Sequence, residues 1–459
     1  MSGVARINLR ARRPSATTGL RAVHVNGWCP GALRPMQSGD GLIVRLKISG
    51  GIVDARLAAE IARWSQRWGN GQLDLTGRAN LQLRGLSTQH LAGLRDAMAD
   101  WHLLDRSAAG EAVRNVISSP LAGIDPTSVL DVRPIVVALE QRLASDSALH
   151  NLPGKFGFAI DDGGRLGLDG VPADVRFDAH FGVDGPEFTV CLDGTLLALC
   201  PEVSGLGPCS PDVVVDVAAS LARVFLDARK GGQIGLRRMG DLVALRGVEA
   251  IGRQAGLAHA GSPRAAERLV EQSMLLGTHP LASAAYLGVG LPFGRIVAED
   301  LVALASAATW NGAGEIRLTP WRTILVPVPS IQAAHAVSGA VRASTFILDP
   351  HDPRRRIAAC PGAPSCAHAT TAVHSDAARL AVELAGIPEW RRILHVSGCN
   401  KGCAHPKPAA ITLVAQDGRY HLVLDGAPSD PPALQDLTLD QAADQVRRIV
   451  ANQASGDAP

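Results

Sequence analysis

The chain has 459 residues, too many for one ordinary hydrophobic core, so two to four domains are expected. Hydrophobic residues make up 46%, and 45 Lys and Arg nearly cancel 43 Asp and Glu for a formal charge of +2. That balance supplies no global field to draw in nucleic acid, and no apolar run approaches the length of a membrane span.

The first stretch, "MSGVARINLRARRPSATTGLR", carries Arg12 and Arg13 with no apolar segment behind them. It reads as a flexible basic arm over residues 1–20 rather than an export signal. From 21 to 110 the pattern is strand, helix, strand, strand, helix. A glycine-rich lead-in, "NGWCPGALRPMQSGDGLIVRLKISGG", runs into the first strand. The helical "GGIVDARLAAEIARWSQRWG", the strand–turn–strand "GQLDLTGRANLQL" and the helical "STQHLAGLRDAMADWHLL" follow. This order predicts a ferredoxin-like half-domain. Residues 111–235 read as an α/β domain with the strand pair "FGFAI" and "EFTVCLDG" and the helix "VVVDVAASLARVFLDARK". A bridge of linker and short helix covers 236–275.

The half-domain pattern then returns over 276–345. "GEIRLTPWRTILV" repeats the Gly-x-apolar-x-Leu-Thr of "GQLDLTGRANLQL" 243 positions later, between "GRIVAEDLVALASAATWNG" and "SIQAAHAVSGAVRAS". Several matched elements in matched order point to a duplication. A second α/β domain is expected over 346–459. The fold class is therefore α+β, with two ferredoxin-like half-domains and two α/β domains.

Four of the eight cysteines cluster in that last domain: Cys360 and Cys366 in "AACPGAPSCAHA", Cys399 and Cys403 in "SGCNKGCAHP". Without an export signal the chain is expected in a reducing cytoplasm, where disulfides are disfavoured and clustered cysteines bind metal. Structural zinc tolerates the three-residue gap of the second pair but not the five-residue gap of the first. A [4Fe–4S] cube needs four thiolates wrapped by backbone that approaches the sulfides closely, and the Pro, Gly, Ala and Ser residues around these cysteines allow that. "VRNVISSPLAG" aligns with "RRRIAACPGAP" and sets Ser119 against Cys360, so one cluster per chain is expected.

The motif "ACPGAPSC…SGCNKGC" resembles the cluster motif of the sulfite and nitrite reductase superfamily. The duplicated half-domain, "TGRANLQLRG", "VRNV" and "LPGKFGFAI" are similar to it as well. By that resemblance Cys360, Cys366, Cys399 and Cys403 ligate the cluster. Arg78, Arg114 and Lys155 stand at its anion-binding positions. Gly157 replaces the second lysine of the family's Lys-x-Lys, which removes a cation that a small oxyanion would need. Of the other arginines and lysines beside these stretches, Arg45, Lys47 and Arg84 read as members of a solvated strand face.

The lead-in at 26–51 and the ending "CAHP" resemble one branch of the superfamily, the precorrin-3B synthases. That resemblance implies an oxidoreductase of cobalamin biosynthesis with a [4Fe–4S] cluster, a mononuclear non-haem iron and no sirohaem. Its substrate is precorrin-3A, its oxidant dioxygen, and its electrons come from an external donor; neither nucleic acid nor membrane takes part. The substrate's eight carboxylates call for dispersed cations. Fourteen histidines are available as iron ligands, and among His24, His279 and His374 the sequence does not choose. His368 and His405 follow cluster cysteines and read as donors or packing groups beside the cluster.

Overall fold

The computed structural model describes residues 30–192, 206–231, 235–257, 272–311, 314–385 and 393–454. The arm at 1–20, His24, Cys29 and Cys200 lie outside the described residues.

The first half-domain contributes β1 (Met36–Ser38), β2 (Gly41–Leu46), β3 (Ile52–Asp54), α1 (Ala55–Trp68), β4 (Gln72–Leu75), β5 (Leu81–Leu86) and α2 (Leu91–Asp100). Helix α1 begins where Asp54 accepts the Arg56 and Leu57 amides, and it buries Leu57, Ile61 and Trp64 along one face. Next come α3 (Ala108–Val113), β6 (Val116–Ser118), α4 (Arg133–Ser145), β7 (Phe158–Asp161), β8 (Val175–Phe181), β9 (Pro186–Leu192), β10 (Leu206–Cys209) and α5 (Val214–Lys230), then α6 (Met239–Arg246) and α7 (Val248–Gln254). The second half-domain brings β11 (Gly277–Pro280), β12 (Ala285–Gly290), β13 (Arg295–Val297), α8 (Ala298–Trp310), β14 (Glu315–Leu318), β15 (Thr323–Val328) and α9 (Ile331–Ala340). Last are β16 (Ile357–Ala359), α10 (Val373–Glu383), β17 (Leu394–Ser397), β18 (Ala409–Gln416), β19 (Arg419–Gly426), β20 (Leu434–Leu437) and α11 (Leu439–Ala454).

The two half-domains exchange a strand. One sheet runs β1-β2-β5-β4-β13 and the other β11-β12-β15-β14-β3, so each is completed by three residues of its twin. Both halves share one core, in which Val44, Ile61 and Leu83 pack in the same cluster as Leu287, Leu304 and Val326.

The α/β sheets repeat as well. In β6-β7-β8-β9-β10 and in β16-β17-β18-β19-β20, three strands run parallel and two follow antiparallel. Both strands expected in the first α/β domain form, yet they are not partners, because β8 lies between them. Its alternate residues Arg176 and Asp178 are charged, which hides the strand in the sequence; they are buried in an ion-pair network with Asp161 and Asp169. The expected bridge also differs: Met239, Leu242 and Ile251 of α6 and α7 belong to the core of the first α/β domain. Among the described residues no helix is long and apolar enough to cross a membrane.

Candidate functional site

Strands β16 and β17 are parallel neighbours, so the loops that leave their C-terminal ends lie side by side. Cys360 and Cys366 sit on the first loop, Cys399 and Cys403 on the second. Topology alone thus brings the two sequence pairs together. The Gly398 amide donates to Cys360 Sγ at 3.1 Å and the Cys366 amide to Gly362 O at 2.7 Å. Gly362 has φ of 68°, and a Cβ there would meet Val373 N at 2.5 Å, so the turn between the first two cysteines requires glycine.

Two of the four thiols, Cys360 and Cys403, each register Cys366 and Cys399. Burial pushes the Cys360 thiol up, the Gly398 and Gly362 amides pull it back, and Cys366 and Cys399 add to the rise. Burial also raises Cys403, as do Cys399 and Cys366, while Lys401 and Lys155 oppose them. No disulfide joins the described cysteines.

The first α/β domain preserves the same architecture without the thiols. The Asp162 amide donates to Ser119 Oγ at 2.9 Å, the counterpart of the Gly398–Cys360 bond. Ser119 therefore occupies the position of Cys360 in space, as the sequence alignment places it.

Lys155 lies close enough to Cys403 to act on its thiol, and its carbonyl accepts from Arg78 Nη2. Arg78 is half-buried, and Lys155 and Cys403 are exposed. Arg114 is placed differently. Its guanidinium is ion-paired to Asp105 at 2.8 Å and to Glu140 at 3.5 Å, with 12% of its side chain exposed, and it donates to Lys47 O at 3.2 Å. Its guanidinium is thus paired within the protein, at the position where the resemblance expects it to meet a substrate anion. The solvated-face reading of Lys47 and Arg84 is corrected: they are 6% and 1% exposed. Lys47 Nζ donates to Asn115 Oδ1 at 3.0 Å, and Arg84 is paired with Asp40 and Asp74.

The description "Nitrite/Sulfite reductase ferredoxin-like half domain" matches residues 34–101 and again 279–344. "Nitrite and sulphite reductase 4Fe-4S domain" matches residues 109–261. A precorrin-3B synthase of Sinorhizobium sp is 32% identical over 409 residues, covering 89% of this chain and 84% of that protein. The chain belongs to the nitrite and sulfite reductase superfamily, in the family that contains precorrin-3B synthase. A ferredoxin–nitrite reductase of Synechococcus elongatus is 29% identical, covering 84% of this chain and 79% of its own length. The NirA protein of Mycobacterium tuberculosis shares the fold with a TM-score of 0.72 at 19% identity, covering 91% of this chain and 81% of that one. The superfamily's 4Fe–4S match falls on the copy with Ser119, whereas the four clustered cysteines lie in its twin.

In this superfamily member the histidines separate clearly. His279 is bound to Leu276 O at 2.8 Å and packs on Tyr286, and His368 is exposed. His374 packs on Phe293, and burial, helped by Arg295, lowers it to about 4. His395, which the sequence did not single out, is fully buried on β17, and both its ring nitrogens are without partners. It packs edge-on against His405 with centroids 5.8 Å apart. A lone histidine inside a strand carries no motif, so nothing in the sequence marked it.

His374 gives a pH prediction. Above the ordinary value of 6.5 the imidazole is neutral in both folded and unfolded chains and contributes nothing. As pH falls below that value, the unfolded chain takes up a proton that the folded chain refuses until about 4, so stability is lost over this window. Urea midpoints should show an acid loss of about 1 kcal/mol from this group between roughly pH 7.5 and 5.5. That loss should shrink in His374→Phe; an unchanged slope would show that His374 is not the group responsible.

Proposed function

We propose that the chain is an oxygen-dependent precorrin-3B synthase. It hydroxylates precorrin-3A at C20 and closes a lactone from the ring A acetate onto C1. One oxygen atom of dioxygen enters the product and the other leaves as water, with two electrons from an external donor and two protons. The observation that carries this reading is the 32% identity to a precorrin-3B synthase over 89% of the chain. Gly157 supports it by leaving the site one cation short of the Lys-x-Lys pattern, at a position where a Cβ would lie no closer than 3.5 Å to its neighbours.

Cys360, Cys366, Cys399 and Cys403 hold a [4Fe–4S] cluster. The residues fit it: four thiols on neighbouring loops, with Cys366 and Cys399 acting on both Cys360 and Cys403, an amide already donating to sulfur, and loops of small residues. The five-residue gap between Cys360 and Cys366 favours a cube over zinc. When bound, the cluster supplies one-electron transfer. A mononuclear iron fits less well: among the described residues no three His, Cys, Asp or Glu side chains converge, and Arg322, whose charge bears on both His395 and His405, disfavours a dication beside that pair.

The chain's own residues bind and orient. Arg78 and Lys155 hold substrate carboxylates on the side of Cys403, where charge-assisted bonds contribute about 1.5–3 kcal/mol each. Alanine at either position should leave the melting point and iron content unchanged while weakening equilibrium binding of precorrin-3A by about ten-fold or more. Unfolding with unchanged affinity would return both residues to a structural role.

The deciding experiment is incubation of protein purified without air with precorrin-3A, reductant and labelled dioxygen. Label in the hydroxylated product, and no product without oxygen, is expected. A sirohaem spectrum with six-electron reduction of nitrite or sulfite would instead support a reductase, and cluster without oxygen uptake a carrier.

A further inference from the structure

The loop between Cys360 and Cys366 is gripped at Ser365. Ser38 Oγ donates to its carbonyl at 2.6 Å, Arg84 Nη2 donates to the same carbonyl at 2.7 Å, and Arg295 Nη1 reaches its hydroxyl at 3.4 Å. Gly39 presses on the neighbouring backbone, since a Cβ there would come within 2.3 Å of Pro364 O and 2.9 Å of Ala367 N.

Behind these contacts lie four charges. Arg84 pairs with Asp40 and with Asp74, each at 2.9 Å, and Arg295 shares Asp74 at 2.8 Å. Burial pushes the Asp74 carboxyl up, but Arg295 and Arg84 outweigh it and hold the group below its usual range. The network exists because of the strand exchange: Arg295 stands on β13 of one half-domain, directly opposite Asp74 on β4 of the other.

The silent copy shows what holding a loop requires. There Arg317 Nη1 donates to Pro120 O and Ala122 O at 3.2 and 2.7 Å, and Glu315 is its ion-pair partner. One guanidinium and one carboxylate suffice for that loop. The cysteine loop is held by two guanidiniums and two carboxylates, buried next to the residue that precedes Cys366, and a third guanidinium, Arg322, is near enough to act on Asp74.

The geometry points to Arg84, Arg295, Asp40 and Asp74 as an ion-pair network that sets the reduction potential of the cluster as well as the position of Cys366. This inference rests on the ligand assignment made above. Reduction adds one electron, hence one negative charge, to a group already surrounded by thiolates. Its cost depends on the net charge nearby, and a buried setting screens that charge poorly. Arg295 and Asp74 are positioning residues in this account, since neither touches the thiols.

The test is a potentiometric titration of the cluster in the full-length protein, prepared without air and followed by electron paramagnetic resonance. Arg295→Gln removes one positive charge from the network, although Arg84 still pairs with Asp74, and should lower the potential. Asp74→Asn leaves a surplus cation and should raise it. The double variant should return close to the parent, and Arg295→Lys, which keeps the charge, should stay there. Should Arg295→Gln fail to fold, Asp74→Asn and the double variant differ by the same charge, and the double variant must have the lower potential. Loaded variants with unmoved potentials, or single variants shifting in the same direction, overturn this inference alone. A parent chain that binds no cluster overturns the ligand assignment and this inference with it.

Discussion

Cys366→Ser should give a protein that folds, binds little or no iron and sulfide, lacks the visible absorbance of the cluster and has no activity. The expectation follows from where Cys366 sits. Its amide closes the turn onto Gly362 O at 2.7 Å, and the preceding Ser365 is fixed by Ser38 and Arg84, so the loop is shaped without the thiol. The packed interior of that domain includes Val373, Leu380, Leu394 and Leu413 and does not use Cys366. Removing the sulfur should therefore remove a ligand and leave the scaffold. Cys191 and Cys209 offer the contrast: both are buried in the first α/β domain, 2% exposed, and their replacement by alanine should leave iron and sulfide content unchanged. Iron analysis with near- and far-ultraviolet dichroism reads both outcomes. A full complement of iron and sulfide in Cys366→Ser would end the assignment.

Much of this was legible in the sequence because duplication left a periodic trace. The 243-residue offset placed both half-domains, and the alignment of Ser119 with Cys360 survives as matching hydrogen bonds in the two copies. The cysteine pairs were legible because glycine and proline at loops after strands mark close backbone approach. The strand exchange was not. Strands β3 and β13 have three residues each, and their partners lie over two hundred positions away, beyond any local pattern. Arg84 was misread for a related reason. It occupies a strand position where a charged residue ordinarily faces water, and its partners Asp40 and Asp74 come from two different segments. A strand's alternation tells which residues share a face, not whether a neighbouring domain covers that face.

Arg114 is the case in which structure and resemblance assign different work to one side chain. The resemblance puts it at an anion-binding position; the structure pairs it with Asp105 and Glu140 and ties it to Lys47 O. Burial pushes Glu140 up, and Arg114 and Ser49 are what pull it back. Taking the guanidinium away would leave two poorly solvated carboxylates facing each other. Breaking a buried pair from one side costs about 3–5 kcal/mol, against the usual effect of under ~0.5 kcal/mol for a surface charge. Arg114→Met should therefore lower the urea midpoint sharply. Adding Glu140→Gln and Asp105→Asn should recover part of the loss, because the stranded charges go with it. A substrate-binding arginine behaves the other way, keeping its melting point and losing affinity by about ten-fold or more. Urea denaturation and equilibrium binding on Arg114→Met, with Arg78→Ala alongside, separate the two. A stable Arg114→Met that binds precorrin-3A weakly would show that the ion pairs open for substrate, and that the position carries the role the resemblance gave it.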